Sequence, residues 1–293
     1  MRLFLQLALA VLLVPGTSVA QSNTTISGRV IATITDGDFV HPAFSPDGRF
    51  LAYSQVLVSG EFENTKVVLR DLSTKRETVL LNSKQAKRYA TYKAAVTAMK
   101  WTSARRLEVE VSDGDMGLTY LTFDPLRRKL LKERTDDLDL IQPETPRLSP
   151  EYEKAYQQAR LLFPATSEEA LIRAFNGGVA FKSAIVLALT RGPKVYLYLY
   201  QDGKIAELGQ FNSSGPGWIE VKHVSPARVI FLLKTYAPYE RGDNPLFVFD
   251  GRQLARVKEY SELYDAAVDP RGQHIVFSYW AGDKRHLVVK ELR

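Results

Sequence analysis

From residue 26 onward, apolar residues recur at every second position rather than every third or fourth. Examples are Val67-Val68-Leu69, Leu107 to Val111, Leu118 to Phe123, Ile185 to Leu189, Val195 to Tyr200, Val229 to Leu233, Leu246 to Phe249 and Ile275 to Tyr279. These runs are rich in β-branched, aliphatic and aromatic residues and are bounded by Gly, Pro and Asp, the signature of β-strands. Many short strands at close spacing predict an all-β sandwich, barrel or propeller.

An internal repeat selects among the three. Residues 41–54 read HPAFSPDGRFLAYS and residues 265–278 read DAAVDPRGQHIVFS: an apolar residue, a Pro-centred turn ending in Gly, then an alternating strand. Ser45-Pro46-Asp47-Gly48 has the residues a type I turn prefers, with a polar capper first, Pro second and Gly last. Asp269-Pro270-Arg271-Gly272 matches it, and degraded copies precede Leu107–Val111 and Val229–Leu233. Aligning Phe44, Trp101, Val224 and Val268 spaces the last two by one propeller blade, ~40–45 residues.

The repeats predict five blades, with six as the alternative, since residues 21–293 would also divide into six blades of about 45. The last copy, from Asp265, runs out of chain after its third strand. Ile26–Thr35, which has no blade of its own, is expected to supply the fourth and close the ring, hiding an open edge. Residues 135–182 favour five, because they read as a helical insertion. Ser149-Pro150-Glu151 is a helix start, and a second start at Ser167-Glu168-Glu169 leads through ALIRAF to Gly177, a C-terminal stop. Helix is therefore expected near residues 149–176, between the first and second strands of blade three, whose innermost strand is expected near Arg147–Pro150.

The first twenty residues stand apart from this pattern. Arg2, the apolar run Leu3–Val14, the Pro15-Gly16 break and Ser18-Val19-Ala20 form the three parts of a secretory signal, with cleavage expected after Ala20. Residues 21–293 are then expected to be one propeller domain in the periplasm or outside the cell. The absence of cysteine excludes disulfides, thiolate catalysis and a lipid anchor at the cleavage site. The balance of 39 Lys+Arg against 33 Asp+Glu leaves +6, a mild bias towards acidic partners.

The run from His41 to Ser54 resembles the WD40-like Pro-Asp repeat of TolB-like propellers, which also occurs in the propeller parts of tricorn-type and dipeptidyl peptidases. The likeness is closest over 41–54, extends to 265–278 and concerns the propeller part only. TolB adds an α/β domain before a six-bladed propeller, and the peptidases add an α/β-hydrolase domain for which no stretch here has room. The resemblance implies a secreted bacterial propeller that binds a partner, without naming it.

Chemical motifs are scarce. None of the four histidines, His41, His223, His274 and His286, has metal-binding spacing. His41 and His223, just before equivalent turns, read as histidines satisfying a neighbouring blade. There is no Gly-x-Ser-x-Gly elbow, and the Asp-Gly-Asp triplets at 36–38 and 113–115 lack the ligands of a calcium loop. No cofactor, metal or catalytic residue is assigned. The enzymatic alternative is a five-bladed carbohydrate-active hydrolase, needing two carboxylates facing each other across the channel. Asp38, Glu108, Glu110, Glu220 and Asp265 are its candidates.

A non-enzymatic module binding protein or cell-envelope glycan fits the residues better. With the Ser-Pro-Asp-Gly turns on one face, the opposite face carries the long loops Gln55–Asn64, Lys84–Lys93 and Tyr236–Arg241. Tyr, Trp and Arg dominate binding hot spots, which selects Lys87, Arg88, Tyr89, Tyr92, Tyr236, Tyr239, Arg241 and Trp280. Export argues against nucleic acid. The basic stretch Arg127–Arg134 reads as a solvated outer edge where charge discourages strand addition.

Overall fold

The computed structural model describes residues 22–24, 30–35, 40–59, 62–89, 94–102, 105–113, 117–136, 150–162, 175–215, 217–236, 242–257, 260, 262–282 and 284–292. The chain opens with β1 (Ser22–Thr24) and β2 (Val30–Thr35), which join blades formed later. Blade one comprises β3 (Pro42–Phe44), β4 (Phe50–Ser59), β5 (Phe62–Asp71) and β6 (Glu77–Leu81), followed by the one-turn helix α1 (Ser83–Ala86). Blade two comprises β7 (Ala94–Trp101), β8 (Leu107–Asp113), β9 (Leu118–Asp124) and β10 (Lys129–Asp136). Helix α2 (Pro150–Leu162) precedes blade three, β11 (Phe175–Phe181), β12 (Ala184–Arg191), β13 (Lys194–Gln201) and β14 (Lys204–Asn212). Blade four comprises β15 (Trp218–Val224), β16 (Val229–Lys234), β17 (Leu246–Phe249) and β18 (Leu254–Val257). Blade five comprises β19 (Leu263–Val268), β20 (His274–Ala281) and β21 (Lys284–Glu291).

Among the described residues there are thus five sheets, and the five-bladed propeller holds. Blade five is completed by β2, paired antiparallel to β21 from Val30↔Lys290 to Thr35↔His286. The N-terminal strand therefore closes the ring, as the missing fourth strand predicted. The sequence did not foretell β1, which lies parallel to β18 on the outer edge of blade four, Ser22↔Ala255 to Thr24↔Val257. Phe44, Trp101, Val224 and Val268 each end an innermost strand, and Phe181 is the fifth member of that set.

The turns obey the chemistry read from them. Gly48 N–H donates to the Ser45 carbonyl at 2.8 Å, and Gly272 N–H to that of Asp269 at 2.9 Å. Gly48 sits at φ +71°, and a Cβ built there would lie 2.9 Å from Asp269 Oδ2, because the turns of blades one and five touch. His223 meets blade five likewise, its Nε2 only 2.8 Å from the Cβ position of Gly272.

Buried side chains join blade one to two, three to four, four to five and five to one. In blade four, Val229, Phe231 and Leu233 of β16 face blade three while Ile230 and Leu232 face blade five. That strand is apolar at successive positions because both its faces are covered. Blade two differs. Leu107, Val109 and Val111 of β8 pack on blade one, but Glu108, Glu110 and Ser112 alternate with them on the other face. Among the described residues no buried cluster joins blade two to blade three. The face of blade three left over is covered instead by α2, whose Ala155, Tyr156 and Ala159 pack on Ile185, Leu187, Leu189 and Tyr198.

Three expectations are corrected here. Helix α2 begins at Pro150 as predicted, yet it precedes blade three rather than interrupting it, and β11, not Arg147–Pro150, is the innermost strand. The second helix falls largely outside the described residues, but its expected end, Phe175-Asn176-Gly177, is strand. The glycine pair read as a helix stop because glycine punctuates helices. Gly178 instead permits close approach, since a Cβ there would lie 2.9 Å from the Val186 carbonyl oxygen and 3.0 Å from the Tyr152 ring of α2. The loop expected at Gln55–Asn64 is also mostly strand: β4 and β5 remain paired out to Ser59↔Phe62. The basic stretch of β10 is solvent-exposed, as expected of an outer edge.

Two outcomes follow from closure and turn contact. Deleting residues 22–35 uncovers the outer edges of β21 and β18, and the shortened chain is expected to self-associate, seen as earlier elution in size-exclusion chromatography. Gly48→Ala is expected to cost about 1–3 kcal/mol, read as a lower urea midpoint with unchanged slope, because it strains a left-handed residue and crowds Asp269.

Candidate functional site

The innermost strands face the channel and four of them shift register; besides β11, between Phe175 and Gly178, three carry a β-bulge at which one residue is skipped. The register of β7 shifts between Val96 and Ala98, that of β15 between Val221 and His223, and that of β19 between Leu263 and Asp265. The residues skipped, Thr97, Lys222 and Tyr264, all line one cavity of about 270 Å³. A bulge releases one side chain from the ladder and re-aims it, and here three strands turn such a residue towards the same space. Trp218, which begins β15, and Tyr236, which follows β16, also line it. The cavity therefore opens on the long-loop face, opposite the Pro-centred turns.

Its charged wall is a network around Asp265. Lys222 Nζ donates to Asp265 Oδ1 and to Glu220 Oε1, each at 2.7 Å. Asp265 Oδ1 also accepts the Ala266 N–H at 2.7 Å, and Oδ2 pairs with His41 Nδ1 at 3.1 Å. On its other side the His41 ring meets Tyr264, with Nε2 3.5 Å from the phenol oxygen. Lys234 Nζ donates to the Tyr264 carbonyl at 3.1 Å and stands 3.7 Å from Asp265 Oδ1 and 3.8 Å from Glu220 Oε2.

The charge states follow from these positions. Burial would raise the pKa of Asp265, but Lys222 and Lys234 outweigh it and hold the carboxyl well below the usual range. Burial likewise opposes the charge on Lys222, yet Asp265 and Glu220 more than compensate and its pKa is raised. For Lys234 burial prevails and the pKa is lowered, with the neighbouring Lys222 adding to it. Two lysines compete for two carboxylates, and Lys222 holds both.

This arrangement weighs against the hydrolase alternative. Glu220 and Asp265, both candidates for its carboxylate pair, do meet at the channel. The Lys222 ammonium is hydrogen-bonded to both, and it and Lys234 hold the Asp265 carboxyl well below its usual range. A glycosidase needs one carboxyl group that can give up a proton to the leaving group. Glu108 and Glu110 lie on β8 and do not line this cavity, although Glu110 accepts from Thr97 Oγ1, which does, at 2.5 Å. Asp38 lies outside the described residues.

Of the eight predicted binding residues, Tyr236 is brought to the cavity. Lys87 and Arg88 are exposed just after α1 on the same face. Tyr89 is half-buried against the core between blades one and two. Tyr92, Tyr239 and Arg241 lie outside the described residues. Trp280 is only 8% exposed; it lies on one side of the Arg285 guanidinium and Tyr264 on the other, each ring centroid 4.0 Å away. It is buried within blade five beside Arg285 and Tyr264. Trp218, Lys222 and Lys234 were not singled out from sequence, although Trp218, Glu220 and Lys222 recur at every second position of an innermost strand.

No protein-family model and no curated protein sequence matches the chain. Solved structures do. The β-propeller domain of the trilobed protease from Pyrococcus furiosus is 14% identical, with 87% of this chain and 70% of that chain covered and a TM-score of 0.27. Acylaminoacyl peptidase from Pyrococcus horikoshii is 14% identical, with 85% of this chain covered and a TM-score of 0.26. This chain spans only 38% of that peptidase's length. A chain of the mitotic checkpoint complex is 10% identical, with 94% and 98% covered and a TM-score of 0.45. At such identities the likeness is one of fold, and it assigns no family within the β-propellers.

Proposed function

We propose that the protein is an exported, non-enzymatic binding propeller that takes a polar ligand, with a saccharide the best chemical fit, into the channel mouth on its long-loop face. One observation carries the reading: Trp218, 41% exposed on an innermost strand, stands with Tyr236 at a cavity whose other wall is the Lys222–Asp265–Glu220 network. An aromatic face beside directed ammonium, carboxylate and hydroxyl groups suits a ring with apolar C–H faces and polar edges. The charges already satisfy one another, so the site suits a neutral, hydroxyl-rich ligand better than a strongly charged one. The three-part leader supports export, and placement in the cell envelope makes envelope glycan or the glycan of a protein partner the accessible ligand.

The test is a glycan-array screen of residues 21–293 followed by calorimetry on the best hit. Trp218→Ala is expected to weaken binding tenfold or more, about 1.4 kcal/mol, and Tyr236→Ala to weaken it as well. Unchanged affinity in both would place the ligand elsewhere.

The network itself makes a pH prediction. Because the folded pKa of Asp265 is depressed, its stabilisation is complete above the unfolded value of about 3.9 and is lost as pH falls through the lower folded value. Asp265→Asn is expected to lose about 3–5 kcal/mol near neutral pH, since Lys222 would be left buried beside an amide. In urea titrations the gap from wild type should narrow below pH ~4.

A further inference from the structure

Lys222 and Lys234 occupy one cavity and differ in what holds them. Lys222 has a carboxylate oxygen at 2.7 Å on each of two sides. The side chain of Lys234 is as buried, at 11% exposed against 10%, but its nearest carboxylate oxygens are 3.7 and 3.8 Å away, beyond hydrogen-bond range. Its Nζ donates to a neutral partner, the Tyr264 carbonyl. The groups that face it are Glu220 and Lys222 from β15, Asp265 and Tyr264 from β19, His41 from the segment before β3, and Tyr236 at the end of its own strand.

We propose that Lys234 is an amine nucleophile that condenses with the carbonyl group of a small ligand in this cavity, an open-chain aldose being the class that fits. The inference rests on the saccharide reading above and deepens it. An amine attacks a carbonyl only as the free base, and desolvation beside a second ammonium is the established way to provide one. Both conditions are met at Lys234: it is buried in the cavity and shares Asp265 Oδ1 as a neighbour with Lys222, and burial and Lys222 together lower its pKa against the opposing pull of Asp265 and Glu220. Lys222 itself stays an ammonium. It shares Asp265 Oδ1 as a neighbour with Lys234, at 2.7 and 3.7 Å respectively. It is therefore placed to stabilise negative charge developing on the ligand oxygen.

The step balances without any oxidant or reductant. The Lys234 nitrogen forms a bond to the carbonyl carbon, and the carbonyl oxygen takes a proton to give a carbinolamine. The hydroxyl group then takes a proton from an acid and leaves as water, and the remaining nitrogen proton passes to the conjugate base, which leaves the imine. Glu220 is the proton carrier the site supplies. Its Oε2 stands 3.8 Å from the amine, and its side chain is 42% exposed, so it can exchange protons with solvent. The cavity of about 270 Å³ admits a molecule the size of a triose or larger.

The experiment uses the mature chain, glyceraldehyde as the aldose and cyanoborohydride to trap imines at pH 7, with each modified lysine located by peptide mass. Lys234 is expected to be labelled at least tenfold faster than the exposed Lys84, its advantage shrinking as pH rises towards 10 and ordinary lysines lose their protons. A lysine with a purely structural role, being buried, would be labelled more slowly than Lys84 at every pH, and that result would overturn the proposal. Lys234→Arg is expected to remove the fast site while leaving the labelling of Lys84 unchanged. Should that variant not fold, the wild-type comparison of the two lysines still decides. If Trp218→Ala loses saccharide binding while Lys234 stays unlabelled, the amine chemistry fails and the binding site stands; unchanged binding in Trp218→Ala together with an unlabelled Lys234 rejects both.

Discussion

Every apolar sheet face of a propeller must be covered, and the rest of this molecule is organised by how that requirement is met. An apolar face left in water costs roughly 25 cal/mol per Å², so each blade is apolar only where a neighbour lies against it. β16 reads VIFLLK because blade three covers one face and blade five the other. β8 reads LEVEVSD because blade one covers its valines while its glutamates face away. β12 is apolar on both faces although blade two contributes nothing to its burial among the described residues, and α2 makes up the difference. The helix is thus a structural substitute for a blade surface, and the ring is held by four blade-to-blade cores plus one helix-to-sheet core.

Closure follows from the same requirement applied to edges. The outer edges of blades four and five are taken by β1 and β2, the first parallel and the second antiparallel. One short N-terminal stretch thereby ties the last two blades to the beginning of the chain. Without cysteine, this pairing and the inter-blade cores carry stability that disulfides could otherwise supply.

At the channel the requirement eases, since the inner edge of each innermost strand has no further strand beside it. Polar residues gather there, and bulges decide which of them turn inward. Thr97, Lys222 and Tyr264 reach a common cavity because each is the extra residue in its ladder. Once gathered, the charges sort themselves by distance. Lys222 takes both carboxylates, and Lys234 is left with a carbonyl oxygen. The division of labour proposed for the two lysines is a consequence of that competition, not of any difference between the side chains.

Much of the architecture was legible in one sequence. Period-two alternation marked most strands, the Pro-Asp-Gly turns set the blade register, and a final repeat one strand short implied closure by the N-terminal strand. These signals are local, or repeat at a fixed interval, so residue order alone carries them. The position of α2 was misjudged because a glycine pair can end a helix or admit close packing, and only the approach of Tyr152 and Val186 to Gly178 distinguishes the two. The cavity was less legible. Tyr236, Glu220 and Asp265 could be named as facing a loop or the channel, whereas Lys234 ends an apolar strand, and Trp280 looked like a surface anchor until Arg285 was seen packed against it. The amino-acid order by itself determined the strands, their turns and the number of blades. Only the tertiary structure decided which charges meet, because His41, Lys222, Lys234 and Asp265 come from three different blades, and distances of a few ångströms between them set which lysine is hydrogen-bonded to the carboxylates.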